Sequence, residues 1–434
     1  MSKKADSNPV RGWVGIEKAG NSAVAVGGRR APPAGKIARV PEPITIDDAL
    51  ERVLAAAEPL TAEWVPLDDA LGRVLAEDAV AAEDLPPFDS SAMDGYAVAD
   101  PDAGELPIAG EARAGHPFER ALAPGEAIRI STGAPVPDGA VAVVPVERTE
   151  EEGERVRFER VPRGANIRRA GEDVCAGDRV IESGTDLGPA EVAMLAALGL
   201  PEVACGGVPR VAVLATGDEL VAPGAPLLPG QIRDSNAYAL AAQASRAGAR
   251  VVMRAEVPDD ATATRQALAS ALGLADVVCV SGGVSVGRHD HVKDALAELG
   301  VKERFWRVRL KPGKPTWFGE LGEKLVFGLP GNPVSAMVTF HLFARPALRQ
   351  LAGADPGDVR ATALLDVPLE RNPSRAQVVR CRLHTEADGW HATPTGAQGS
   401  HVLSSMLGVD AFALIREGHT ELPAGSRIDI ELVR

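Results

Sequence analysis

Three segments carry the residue types that an anionic ligand needs: Lys311-Pro312-Gly313-Lys314-Pro315, Ser281-Gly282-Gly283-Val284-Ser285-Val286-Gly287, and Gly328-Leu329-Pro330-Gly331-Asn332-Pro333. The lysines supply fixed cations, and the glycines supply backbone amides without obstructing side chains. Proline fixes φ and biases the preceding residue toward extended backbone, so Lys311 and Lys314 are predicted in a polyproline-like segment with their ammonium groups on one face. The glycine-rich segment follows Asp276-Val277-Val278-Cys279-Val280, an apolar run of the kind that forms a buried parallel strand. Its amides are therefore expected at a strand C-terminal end, where open α/β sheets bind ligands. The segment is not a phosphate-binding Walker sequence, and alone it reads equally as a tight turn or as an anion-binding nest. Ser285 either donates to a ligand or caps the next helix.

Five acids sit near turns: Asp94 in Ser91-Ala92-Met93-Asp94-Gly95-Tyr96, Asp173 in Gly171-Glu172-Asp173, Glu219 in Thr216-Gly217-Asp218-Glu219-Leu220, Asp259, and Asp290. Taken singly, an Asp beside Gly usually caps a helix or closes a turn. Beside a lysine pair, such acids can also hold Mg²⁺ through carboxylate oxygens and waters while the lysines neutralise an oxyanion. Thr132, in Ser131-Thr132-Gly133-Ala134-Pro135, leans toward a turn role. Arg168 and Arg169 are either a solvated pair or a phosphate clamp. His289-x-His291 has the spacing of a metal pair, but no third ligand accompanies it, and two solvent-facing imidazoles at a helix start are the preferred reading.

The elements that must position these residues are distributed over a long chain. At 434 residues, about two to four domains are expected. The net charge is −14, yet residues 1–40 carry +6, leaving −20 for the rest. A body that acidic disfavours nucleic acid and membrane surfaces unless cations are concentrated locally, as Arg304, Arg307, Arg309, Lys311 and Lys314 are. Cys175, Cys205, Cys279 and Cys381 lack Cys-x-x-Cys spacing and read as reduced packing residues. No apolar run is long enough to span a bilayer and no signal peptide is evident, so the cytoplasm is the expected location.

Residues 1–40 read as a disordered leader. A helix is predicted from Thr45, with a capping-box pattern in Thr45-Ile46-Asp47-Asp48, and a short one over Leu67–Leu75. Residues 85–175 read as a β-rich domain, with runs at Ala127–Ile130 and Ala140–Val144, inserted into a discontinuous elongated domain of residues 41–84 and 176–208. Gly188–Leu200 is helical by pattern. From 209 to 353 strands and helices alternate, with strands at Val211–Ala215, Arg250–Val257, Asp276–Ser281 and Lys324–Phe327, and helices at Asn236–Ala247, Asp260–Leu272, Asp290–Leu299 and Val334–Leu351. The fold class is therefore α/β with added β-rich domains: a central, doubly wound, mostly parallel sheet and a C-terminal β-barrel-like domain over 354–434.

Together with Phe88–Val98, Thr132–Pro137, Gly171–Asp173, Ala215–Leu220 and Gly328–Ser335, these segments resemble the molybdopterin molybdenumtransferase family, to which the gephyrin E domain also belongs. The match runs in order from about residue 41 to the C-terminus. The resemblance implies a Mg²⁺-dependent enzyme that takes adenylylated molybdopterin and molybdate, releases AMP, and places molybdenum on the dithiolene. It also implies an elongated homodimer whose partner completes the cleft, with molybdopterin adenylyltransferase and apo-molybdoenzymes as partners. By motif match, Asp94, Thr132, Arg168, Asp173, Glu219, Asp259, Asp290, Lys311 and Lys314 carry over as functional, with Glu219, Asp259 and Asp290 as metal ligands. Gly282, Gly283, Pro315, Pro330, Gly331 and Asn332 carry over as cofactor-binding, and Ser285, Arg380 and Ser404 as molybdate or pterin contacts. Departures from the family pattern are Arg307, where Lys is common, and Arg288 and His291, where an acid and an aromatic are common. The rival readings are a molybdopterin adenylyltransferase, which shares the α/β domain, and a scaffold without turnover.

Overall fold

The computed structural model describes residues 42–284, 291–357 and 359–433, and the predicted leader lies outside them. Thr45 caps the first helix, Ile46–Leu54: its hydroxyl accepts from the Asp48 N–H at 3.0 Å, and the Asp48 carboxylate accepts from the Thr45 N–H at 3.4 Å. This is the reciprocal arrangement that the sequence pattern predicts. Ala49 and Val53 face inward and join the core formed by the Arg210–Thr216 strand and the Arg345–Leu351 helix.

Two short antiparallel pairings follow, Glu63–Pro66 with Glu202–Cys205 and Ala79–Val80 with Arg179–Ile181, around a core that includes Leu75, Leu187 and Leu195. The helix predicted over 67–75 is a single 3₁₀ turn, Leu67–Asp69. Beyond it the Gly72 and Leu75 N–H groups donate to the Leu187 and Thr185 carbonyls at 2.8 and 2.9 Å, so these amides bond across to a neighbouring segment. Between the two arms of this region lies a six-stranded sheet in the order 142–145, 95–98, 127–130, 105–112, 155–158, 149–152. The strand predicted at Ala127–Ile130 is observed as predicted, and that at Ala140–Val144 shifts to Ala142–Pro145.

The α/β sheet has the order 250–257, 210–216, 277–281, 324–329, 317–321, 302–306. Its first four strands are parallel and the last two antiparallel. Alternate residues of the 277–281 strand face opposite sides. Val277 and Cys279 pack with the 236–246 and 333–351 helices, whereas Val278 and Val280 pack with the 261–274 and 292–298 helices. Each fully buried valine contributes about 1.5–3 kcal/mol relative to exposure, which is why a continuous apolar run takes the central position. The helix predicted over 334–351 is two α-helices, Pro333–Thr339 and Arg345–Leu351, joined by a π-helical segment, Phe340–Ala344. Pro346 has no N–H to continue the α-helical ladder, and the backbone widens just before it.

The C-terminal region is a closed barrel of five strands in the order 376–386, 389–394, 360–365, 427–432, 411–415, sealed by pairing of 411–415 with 376–386. The barrel predicted from the spacing of turns is thus present. The two-residue strand Leu310–Lys311 pairs in parallel with Ala376–Gln377, the start of the 376–386 barrel strand, which ties the lysine turn to the barrel. Cys205, Cys279 and Cys381 are buried as predicted, whereas Cys175 is exposed. Burial pushes the Cys279 and Cys381 thiols up to about 12, far from the reactive thiolate form.

Candidate functional site

The glycine-rich segment leaves the sheet at Ser281, the last residue of its strand. Gly282 has φ +93°, and a Cβ there would lie 2.7 Å from Thr216 Oγ1 and 2.8 Å from the Thr216 carbonyl oxygen. Only glycine fits so close to a neighbouring backbone in that conformation. Gly283 follows against Val292, and Ser285 and Asp290 lie outside the described residues. Two neighbouring loops converge on this exit. The buried Pro330 accepts from Ser281 Oγ at 3.2 Å, and Asn236 Nδ2 donates to both Ser281 Oγ at 2.8 Å and the Gly331 carbonyl at 2.7 Å. Asn332 then reaches Ser400 Oγ at 3.1 Å, linking the α/β domain to the barrel.

On the other side of the exit, the Gly217 N–H donates to the Val257 carbonyl at 3.1 Å, which brings the turns after two strands together. The Asp259 N–H donates to Asp218 Oδ1 at 3.0 Å. Glu219 folds back over Gly217, where a Cβ would meet its carboxylate at 2.4 Å. Asp218, Glu219 and Asp259 make no ion pair among the described residues, and the Glu219 and Asp259 carboxylates are the ones not engaged by the Asp218–Asp259 contact. Thr216, which the Thr216–Leu220 motif contains without assigning it a role, and Asn236, which no sequence motif contains, also belong to this site. Thr216 Oγ1 is buried without a hydrogen-bond partner among the described residues, and Asn236 positions two of the three loops.

Lys311 and Lys314 do not form a polyproline-like segment. After the short strand the chain makes a compact turn, in which the Thr316 hydroxyl donates to the Gly313 carbonyl at 2.7 Å and the Val308 N–H to the Lys314 carbonyl at 3.0 Å. The Lys311–Pro312 bond is cis. Gly313 packs so tightly that a Cβ would lie 2.4 Å from Thr339 Cγ2. Side-chain packing and internal hydrogen bonds thus override the extended preference of the prolines. Both lysines are exposed and make no ion pair among the described residues, and Pro315 is partly buried behind them. Arg307 stacks 4.3 Å from the Trp306 ring centroid, with Lys293 at 3.6 Å from the same ring.

Arg380, on the barrel strand that pairs with Lys311, is fully buried. Its Nη2 donates to the Ala397 carbonyl at 3.2 Å, while Nε and Nη1 have no partner among the described residues. Burial pulls its pKa below the usual guanidinium value. Ser404 lies exposed in a 3₁₀ turn, Leu403–Met406, that packs against the Pro333–Thr339 helix.

A second group gathers in the inserted sheet. Asp94 Oδ1 accepts from the Thr132 N–H at 2.7 Å and from its hydroxyl at 3.1 Å. The Gly133 N–H donates to the Ser91 carbonyl at 2.8 Å, and Arg168 is the strand partner of Ser90, so all three predicted residues share one corner. Arg169 pairs with Asp89 at 2.5 Å, which separates the roles of the two arginines: Arg168 stays exposed and makes no ion pair among the described residues. Asp173 is exposed on the turn behind it, its N–H donating to the Leu85 carbonyl at 3.1 Å. No strand pairing among the described residues joins this corner to the glycine exit. A cavity of 810 Å³ beside the first helix, lined by Leu50, Arg309, Arg360 and Glu431, includes one residue of the predicted cation cluster, Arg309, and none of the predicted site residues.

Residues 44–199 match the MoeA N-terminal region (domain I and II), 212–350 a probable molybdopterin binding domain, and 362–433 the MoeA C-terminal region (domain IV). A molybdopterin molybdenumtransferase of Haemophilus influenzae is 37% identical over 399 residues, covering 89% of this chain and 98% of that protein. The chain belongs to the molybdopterin molybdenumtransferase family. Molybdopterin molybdenumtransferase 2 of Mycobacterium tuberculosis is 39% identical over 394 residues, 87% of this chain and 96% of that protein. Among solved structures, the molybdopterin biosynthesis moeA protein of Pyrococcus horikoshii OT3 superimposes with a TM-score of 0.78 at 31% identity, covering 90% of this chain and all of that one. In this molybdopterin molybdenumtransferase family member, the Asp94 corner falls in the region matched by the N-terminal model, the glycine exit and lysine turn in the probable molybdopterin binding domain, and Arg380 and Ser404 in the C-terminal region.

Proposed function

We propose that the protein inserts molybdenum: it takes adenylylated molybdopterin and molybdate, releases AMP, and yields molybdenum cofactor. As a member of its family it is an enzyme of molybdenum cofactor biosynthesis. The observation that carries the finer reading is the Arg380 guanidinium, wholly buried with two nitrogens unpaired among the described residues, on the strand that pairs with the Leu310–Lys311 strand. A buried unpaired cation is costly unless an anion completes it, and molybdate has the charge and the acceptor oxygens to do so.

In this reading Lys311, Lys314 and Arg380 offset the charge of molybdate and the pyrophosphate, while Gly282, Gly283 and Gly331 let the substrate approach the backbone. Ser404 and Ser285 are contacts to the same ligands, and Asn332, Pro330 and Pro315 shape the walls. The free carboxylates of Glu219 and Asp259 suit Mg²⁺, which takes oxygen ligands and keeps several waters, and Asp290 is the third ligand of this proposal. Bound there, the ion would supply Lewis-acid polarisation of the phosphoanhydride. Asp94, Thr132, Arg168 and Asp173 complete the site from the partner subunit of a homodimer. No helix among the described residues is long and apolar enough to cross a membrane, and we place the reaction in the cytoplasm, between a molybdopterin adenylyltransferase that supplies the substrate and apo-molybdoenzymes that receive the product.

The test incubates the purified protein with adenylylated molybdopterin, Mg²⁺ and molybdate, measuring AMP by chromatography and cofactor by reconstitution of an apo-molybdoenzyme. Molybdate-dependent release of AMP with reconstitution supports the proposal. Synthesis of the adenylate from ATP would assign the preceding step instead, and release of neither product would leave a scaffold.

A further inference from the structure

The barrel carries a second cluster, built from residues that take no part in the proposed molybdenum site. His384 and His391 are directly opposed on the hairpin formed by Ala376–Glu386 and Gly389–Pro394, with ring centroids 5.4 Å apart. The Arg360–Leu365 strand pairs in parallel with the second of these strands, and the Asp366 N–H donates to the Ala392 carbonyl at 3.1 Å. This sets the Asp366 carboxylate against both imidazoles: Oδ1 lies 3.0 Å from His391 Nδ1, and Oδ2 lies 3.8 Å from His384 Nδ1. The outer nitrogens also face carboxylates, His391 Nε2 meeting Asp388 at 2.9 Å and His384 Nε2 meeting Glu386 at 3.4 Å.

We propose that Asp366, His384 and His391 bind one divalent transition-metal ion of the zinc type, independently of the molybdenum chemistry. Two imidazoles and one carboxylate form a donor set suited to Zn²⁺ and unlike the all-oxygen sets of Mg²⁺ or Ca²⁺. Tetrahedral coordination with bonds near 2.0–2.2 Å requires neighbouring ligand atoms roughly 3.4 Å apart, close to the 3.0 Å from Asp366 Oδ1 to His391 Nδ1 and the 3.8 Å from its Oδ2 to His384 Nδ1. All three ligand atoms lie within 4.8 Å of one another. A carboxylate on the far nitrogen of each ring is the outer shell that fixes tautomer and orientation in histidine–metal sites. The Thr393 hydroxyl donates to Asp366 Oδ2, holding the shared carboxylate in place.

Exposure grades in the same sense. The His391 and Asp366 side chains are 14% and 22% exposed, whereas His384 is 46% exposed, giving an ion a route in and a position for a water ligand. The alternative trio of Glu386, Asp388 and His391 has a single imidazole, and its acids are 58% and 61% exposed, so these acids fit the outer shell instead.

The experiment titrates untagged, metal-stripped, full-length protein with Zn²⁺ in millimolar Mg²⁺, which occupies oxygen-only sites, using competition with a chromophoric chelator. Co²⁺ substitution reads the geometry. The expected result is one equivalent of Zn²⁺ with a tetrahedral Co²⁺ spectrum, affinity lowered at least 100-fold in His384→Ala/His391→Ala, and about 10-fold in the outer-shell variant Asp388→Asn. Circular dichroism checks the fold of the double variant. Should it unfold, His384→Gln, at the most exposed ligand, replaces it with the same expected direction. Unchanged affinity in these variants, or no Zn²⁺ uptake by the parent protein at millimolar metal, overturns the proposal and leaves the cluster as a set of histidine–carboxylate ion pairs.

Discussion

The Thr132 backbone N–H and hydroxyl both donate to one oxygen of Asp94, at 2.7 and 3.1 Å, across 38 residues of sequence. The two bonds tie Asp94 and Thr132 into a single unit. Replacing Thr132 by Val deletes one donor and keeps the other. The expected loss is about 0.5–1.5 kcal/mol of interaction, read as a several-fold fall in AMP release, with Thr132→Ser restoring it. Asp94→Ala removes both bonds, so it should abolish turnover while lowering the melting temperature by only a few degrees. Equal activity of Asp94→Ala and the parent protein would remove this corner from the active site.

Gly282 and Gly331 stand side by side yet predict opposite phenotypes. A methyl group at Gly282 would press on the Thr216 backbone at a positive φ, whereas at Gly331 the nearest atom is Gly282 Cα at 3.9 Å. Gly282→Ala is expected to cost about 1–3 kcal/mol of stability. Gly331→Ala should stay within about 0.5 kcal/mol of the parent while narrowing the approach to the glycine exit and raising KM. Denaturant unfolding and steady-state kinetics separate the two effects.

Much of this arrangement was legible in the sequence, for identifiable reasons. The 250–257 strand ends where the pattern placed it, and the 277–281 strand is apolar on both faces because both faces are covered. The Gly-Gly exit follows from that burial. The lysine turn was misread because proline preferences are local, whereas Gly313 packing on Thr339 and the hydrogen bonds of Thr316 are tertiary. The helix predicted after Leu67 failed for the same reason, its amides being recruited by residues 185–187. Asn236 escaped notice because an Asn at a helix start is commonplace; only the fold brings Ser281 and Gly331 to it. The His384–His391 pair was invisible until strand register opposed the two rings.

Arg380 offers a test in which stability and function part company. Replacing a buried, incompletely paired charge by an apolar side chain of similar volume is often neutral or stabilising. Arg380→Met is therefore expected to melt at the same temperature as the parent protein or higher. Molybdate, binding only the folded state, should raise the melting temperature of the parent in proportion to ln(1 + [L]/Kd) and leave the variant unmoved. A variant that melts earlier and still responds to molybdate would show that Arg380 serves packing alone.

Acid should act on the inserted sheet through Glu151. Its carboxylate accepts from Arg129 Nε at 3.1 Å and from the Tyr96 hydroxyl, and these bonds, Arg129 first, lower its pKa to about 2 from an ordinary 4.5. A depressed carboxylate stabilises the fold fully above its unfolded pKa and loses that contribution as pH falls through the folded value. The parent protein should therefore be more stable than Glu151→Gln at pH 6, and the gap between their melting temperatures should close as pH falls from about 5 toward 2. The same contact raises the pKa of Tyr96, chiefly by burial, with the Glu151 hydrogen bond next, so removing the carboxylate should lower the Tyr96 titration seen by ultraviolet absorbance. A gap between the two proteins that stays constant over pH 6 to 2 would mean that Glu151 contributes packing and not charge.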